Sequence, residues 1–182
     1  MKSRINDIVL ISLSTILITI SAWIEIPFIV PFTLQILAIF IITGLFKFRV
    51  SFLSVVIYII MGIIGIPVFS GFQGGIGVLM TYTGGFLLGF IFIPIVYNII
   101  NKVIINKNFS LVISFIISLI IIYLIGSIWF YIVYTNKNNN VNFIDCIVIS
   151  VLPFIIPDVF KLFISIILIN KLSNIIKNEA FN

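Results

Sequence analysis

The sequence contains no histidine and a single cysteine, Cys146. Imidazole and thiolate metal clusters are thereby excluded, no disulfide can close within the chain, and a nucleophile that depends on histidine for activation has no base. Charge is scarce as well, at 8% of 182 residues where a soluble domain carries about a quarter. No Gly-Lys-Ser/Thr follows a glycine run, so the phosphate-cradling P-loop is missing and ATP hydrolysis by that route with it. What the chain has in excess is apolar surface: 62% of its residues are hydrophobic. That balance marks an integral membrane protein.

The apolar runs are continuous, without the in/out alternation of a barrel wall, so the spans read as helices. Charges and turn formers divide them at about 6–24, 32–48, 50–66, 83–101, 108–134 and 143–170, each near the roughly 20 residues a crossing needs. The fifth is long enough to tilt or to extend beyond the lipid. The first could pass for a signal peptide, but its apolar run from Ile8 to Ile24 exceeds a signal core and no small-x-small site follows. The net charge of +5 comes from basic residues scattered at the ends of these runs, which argues for membrane loops and against nucleic acid. With the N-terminus in the cytoplasm, Lys2, Arg4, Lys47, Arg49, Lys102, Lys107, Lys171 and Lys177 fall inside, Lys137 outside and Lys161 within a span. The expected fold is therefore all-α and membrane-integral, one domain over 1–182, with six transmembrane helices and both termini cytoplasmic. The polar turn at 135–142 faces out.

This topology also places Gly65 to Tyr82 outside, within a glycine-dense stretch from Gly62 to Gly89 that carries no charge. Glycine at such density serves positive φ or close approach of another body to the backbone, so the stretch reads as a lid folded over a small-molecule site. Ahead of it, Ile26-Pro27 and Val30-Pro31 make the first external loop short, stiff and able to pack beside the lid.

Asp158 and Lys161 in VLPFIIPDVFKLF are the most informative polar residues. Ionisable groups inside a span are costly unless paired or turned to a cavity, and at i and i+3 these two share a helix face. Pro153 and Pro157 are expected to break the helix ahead of them and leave a fresh N-terminus near Asp158. A purely structural ion pair is the alternative, though apolar packing would serve stability better. Gln35, Gln73, Thr83 and Trp129 add hydrogen-bonding capacity in or beside spans. Thr15 and Thr19, four apart on the first helix, form a weak small-residue face, for which ordinary packing within the bundle is the favoured reading.

In order and spacing, IPFIVPFTLQ at 26–35, GIIGIPVFSGFQGGIGVL at 62–79, TGGFLLGF at 83–90, GSIW at 126–129 and PFIIPDVFK at 153–161 resemble the BioY family, the biotin-binding substrate-specificity (S) components of energy-coupling factor (ECF) vitamin transporters. The resemblance covers nearly the whole chain. It implies six helices and an outward substrate pocket under the first and third loops, in a prokaryotic plasma-membrane protein that is not an enzyme. It further implies biotin recognition by Asp158 and Lys161. Around that pair, the residues themselves suggest that the glycine stretch with Gln73, Gly74 and Gly75 closes over the top, that Phe69, Val68 and Trp129 cover the apolar parts of a ligand, and that Gln35, Thr83 and Tyr82 stand beside it, with a structural role the equal reading for Gln35 and Trp129. No cofactor or metal is implied. The partners implied are a transmembrane coupling subunit, which S components meet through an Ala-xxx-Ala type face falling here on Thr15 and Thr19, and two ATPase subunits. The chain departs from the family pattern in three places: Thr81-Tyr82 stands for Gly-Pro, Pro157 for glycine and Phe86 for tyrosine. A self-sufficient or proton-coupled carrier using Asp158, or an S component for a related vitamin or precursor, remains the rival expectation.

Overall fold

The computed structural model describes residues 2–135 and 142–179. Most of the polar turn at 135–142, with Lys137, lies outside the described residues, as do the side chains of Lys2, Arg4 and Lys177. The chain opens with α1 (Lys2–Trp23) and passes into a small antiparallel ribbon, β1 (Glu25–Ile26) and β2 (Phe32–Thr33), with Glu25 opposite Thr33. Pro27 and Pro31 lie in the loop of the ribbon, where their missing N–H groups interrupt no ladder. Helices α2 (Gln35–Leu45) and α3 (Phe48–Ile63) follow. The glycine stretch then forms a 3-10 turn at Ser70–Phe72, a short α4 (Ile76–Leu79) and α5 (Gly84–Gly89). The remainder is α6 (Phe92–Val103), α7 (Lys107–Thr135), α8 (Phe143–Ser150) and α9 (Leu152–Glu179).

Among the described residues, four stretches, Ile5–Trp23, Gly84–Val103, Lys107–Thr135 and Phe143–Ile175, are long and apolar enough to cross a membrane. The spans expected at 32–48 and 50–66 come out shorter, as an 11-residue α2 and a 16-residue α3. At 1.5 Å per residue these are about 16 and 24 Å long, against roughly 30 Å of hydrocarbon. The ribbon is the cause for α2, because it holds Phe32 and Thr33 extended and delays the first helical residue to Gln35.

Two other expected spans are interrupted. The one at 83–101 tightens between α5 and α6, where Phe90, Ile91 and Ile93 donate to carbonyls three residues back at 3.2–3.3 Å. The last breaks at Val151, and Pro153 takes the second position of α9, where an N–H would have no partner in the helix anyway. The expected break at Pro157 does not occur. α9 runs through it, forgoing only the bond to the Pro153 carbonyl, so Asp158 sits two turns into the helix and not at its N-terminus.

Helix α1 packs on α2 and α3, α2 also packs on α9, and α7 packs on α5, α6, α8 and α9. Their shared core is centred on the stacked rings of Phe40 and Phe115, 4.1 Å apart, with Ile18, Ile39, Ile93, Leu111 and Ile169 fully enclosed. Gly44 permits one close approach: a Cβ there would collide with the Ile169 side chain. Buried Thr19, Ser114 and Ser118 donate to carbonyls four residues back on their own helices, which satisfies their hydroxyls without a partner helix. Outward-facing Ile8, Leu13, Ile16, Ile120, Phe160 and Ile167 leave the apolar surface that lipid requires.

Candidate functional site

A cavity of about 370 Å³ opens at the end of the bundle where the ribbon and the glycine stretch meet. Its volume lies in the lower part of the roughly 300–1,000 Å³ range of small-ligand pockets. Most of the wall is apolar, supplied by Pro27, Phe28, Ile29, Val30 and Pro31 of the ribbon loop, Phe69 and Val78 of the glycine stretch, Phe86 of α5, Phe90 at the α5–α6 junction, and Phe154 of α9. Phe32 stacks on Phe154 at 4.3 Å and ties the ribbon to α9.

The polar groups fall into two clusters. In the first, Lys161 Nζ donates to Asp158 Oδ1 at 2.7 Å, and the Tyr123 hydroxyl of α7 donates to Asp158 Oδ2 at 2.8 Å. Asp158 is 1% exposed and Lys161 9%, so each carboxylate oxygen depends on a protein donor for the hydration it has lost. Lys161 has three N–H donors and spends one on Asp158; it lines the cavity with the capacity to meet a ligand oxygen. In the second cluster, Thr33 Oγ1 donates to Gln35 Oε1 at 2.8 Å, and Gln35 Nε2 donates to the Tyr58 hydroxyl at 2.5 Å. These two partners fix which way the Gln35 amide points into the cavity.

At the mouth, the Ser70 hydroxyl donates to Glu25 Oε2, so the ribbon and the glycine stretch are joined across the opening. The turn that carries Ser70 has Gly71 at φ 67° and Phe72 at φ 56°, a left-handed pair in which an aromatic residue is uncommon. Phe72 is held there by stacking on Trp23 at 4.8 Å, while Trp23 Nε1 donates to the Pro67 carbonyl at 3.1 Å.

Of the residues singled out in the sequence, the cavity gathers Asp158, Lys161, Gln35, Gln73, Thr83, Phe69 and Tyr82 along its wall. Tyr82, standing where the family pattern has proline, also packs on Phe130 and Tyr134. Gly74, Gly75, Val68 and Trp129 are not on the wall. Gly74 lies against the backbone, with space for a Cβ only 2.5 Å from the Ile66 carbonyl oxygen, and Gly75, at φ 97°, donates from its N–H to the Gly62 carbonyl at 2.6 Å. Trp129 Nε1 donates to the Thr81 carbonyl at 3.1 Å, so the tryptophan holds the far end of the glycine stretch from outside. Val68 is buried in the core behind Phe69. Thr15 and Thr19 do not form an open face: both are buried, and Thr15 Oγ1 lies 3.3 Å from the Ser54 carbonyl of α3. The helix that Thr15 meets is α3 of the same chain.

A family model for the BioY family matches residues 1–178. The chain belongs to the BioY family. A Pyrococcus horikoshii protein named Probable biotin transporter BioY is 31% identical over 170 residues, 93% of this chain and 97% of that protein. The Thermotoga maritima biotin transporter BioY is 45% identical over 78 residues, 42% of this chain and 46% of its own length. Among solved structures, the S-component for biotin from an ECF-type ABC transporter superposes with a TM-score of 0.82, covering 95% of this chain and 93% of that one. At 22% identity that likeness speaks for the fold.

Among the polar lining residues of this BioY chain that the sequence reading missed are Tyr123, Glu25, Thr33 and Ser70. Tyr123 lies in an unbroken apolar run and reaches Asp158 across 35 residues of sequence. For Glu25, a carboxylate flanked by isoleucines ahead of Pro27 in the first external loop was the available signal.

Proposed function

We propose that this BioY chain is the biotin-binding subunit of a vitamin uptake system: a transporter component and not an enzyme, which captures biotin in the cavity and delivers it to the cytoplasm. The observation that carries the proposal is the cavity itself, an apolar-walled volume of about 370 Å³ into which a buried Asp158–Lys161 pair and the Gln35 amide are built. Biotin has matching chemistry: a ureido group that both donates and accepts, a thioether ring suited to Phe69, Phe86 and Phe154, and a chain ending in a carboxylate. Support also comes from the Pyrococcus horikoshii relative, named a probable biotin transporter and aligned over 93% of this chain.

In this reading the protein crosses a prokaryotic plasma membrane six times, with α2 and α3 as short spans completed by the ribbon and the glycine stretch. Both termini face the cytoplasm, since Lys47, Arg49, Lys102 and Lys107 cluster at turns remote from the cavity and the positive-inside bias puts them there. The cavity then opens outward beneath the two loops. A transmembrane coupling subunit and two ATPase subunits supply the energy; uptake that follows the ATPase and not the proton gradient separates this from a self-sufficient carrier. The test is calorimetric titration of ligand-free, detergent-purified protein with biotin, desthiobiotin and thiamin. Saturable biotin binding, absent for thiamin and lost in Lys161→Ala, is expected; a folded protein that ignores biotin would end the assignment.

A further inference from the structure

Asp158 is a fully buried carboxylate with two oxygens to satisfy, and α9 supplies a donor for only one of them: Lys161 takes Oδ1 at 2.7 Å. The donor to the other oxygen, at 2.8 Å, comes from α7 as the Tyr123 hydroxyl. Asp158 is thereby fixed in rotation between two helices, and it holds the Lys161 ammonium at the cavity wall in one position. We infer that Tyr123 is a positioning residue of the ligand site, acting through Asp158 to set where Lys161 presents its remaining donors. This rests on the reading of the cavity as the ligand site.

The alternative arrangement is simple to state. Without the tyrosine hydroxyl, Oδ2 is left bare in an apolar surround, and the remedy nearest to hand is Lys161 itself. The carboxylate rotates to share the ammonium between both oxygens, and the ammonium is drawn from the cavity toward α9. A buried acceptor is not left unmade when a neighbouring cation can turn to it. The ion pair survives such a change, while the geometry offered to a ligand does not.

The chain has three aspartates, Asp7, Asp145 and Asp158, so protein labelled with ¹³C at the aspartate carboxyls gives three signals, and Asp158→Asn identifies one of them. Tyr123→Phe is expected to move the Asp158 signal in ligand-free protein while leaving Asp7 and Asp145 in place, and to weaken biotin binding by about tenfold. An unmoved Asp158 signal would overturn the inference. So would a moved signal with biotin affinity within about twofold of the parent, since Tyr123 would then be structural. Should Tyr123→Phe not fold, Tyr123→Gln keeps a donor of shorter reach, and a smaller displacement with a smaller affinity loss is expected; no displacement would again overturn it. Failure of the parent protein to bind biotin would remove the ligand assignment, and the ligand-free carboxyl signal would still decide whether Tyr123 holds Asp158.

Discussion

Replacing Asp158 and Lys161 singly and together separates a binding site from a structural strut. Lys161→Met leaves a carboxylate 1% exposed without its 2.7 Å partner. Removing one member of a buried pair costs about 3–5 kcal/mol. Here the loss is smaller, because Tyr123 still donates at 2.8 Å and the cavity admits water to the Lys161 side; about 2–3 kcal/mol is the expected figure. In Asp158→Leu with Lys161→Met no charge remains between Asp145 and Lys171, and apolar replacement of a buried pair is often neutral or stabilising. Only the Tyr123 hydroxyl then lacks its partner, at a cost of about 1 kcal/mol. The double variant should therefore unfold later than Lys161→Met in the same detergent, and neither should bind biotin. The assay is thermal unfolding of ligand-free protein beside calorimetric titration. A double variant as unstable as the single one would show that the pair holds the bundle together, and a double variant that binds biotin normally would refute the site.

Gly62→Ala puts a methyl group into the ring of Phe69, a buried residue of the cavity wall. The helix gains about 0.5–1 kcal/mol from alanine and the crowded core loses about 1–3 kcal/mol, so a net loss near 1–2 kcal/mol with weaker biotin binding is expected from thermal shift and titration; unchanged affinity would mean that Phe69 does not shape the site. Trp23→Phe removes the donor to the Pro67 carbonyl while keeping a ring for Phe72 to stack on. Biotin should then leave faster by roughly fivefold, as expected for the loss of one hydrogen bond of about 1 kcal/mol, read by stopped-flow release; an unchanged off-rate would show that this contact does not hold the loop closed.

Composition and charge made the helical membrane class legible, and the Asp158–Lys161 pair announced itself because two ionisable groups inside a span have few other uses. Hydropathy was blind to where helices stop within apolar runs. Phe90–Ile91 and Val151 are as apolar as their neighbours, and only the hydrogen bonds reveal that the helix tightens or breaks there. Proline misled in the other direction: Pro157 reads as a breaker, yet it costs α9 one bond and the helix continues. The glycines were tied to positive φ or close approach, and each has its example: at Gly74 the close body is the chain's own backbone at Ile66, while Gly75 has open space where a Cβ would sit and is set apart by its φ of 97°. Tyr123 could not be read at all, since its importance is a single contact with a residue on another helix.

The two indole N–H groups that hold the glycine stretch come from two helices with different neighbours. Trp23 belongs to α1, which packs on α2 and α3, and Trp129 to α7, which packs on α5, α6, α8 and α9; each is anchored to a loop carbonyl at 3.1 Å. The stretch is thus a strap buckled to both sides. Hydrogen bonds tolerate only a few tenths of an ångström beyond this length. If α1 and α7 were to part by more, one of the two anchors would have to open, and the cover over the cavity would slacken at that end.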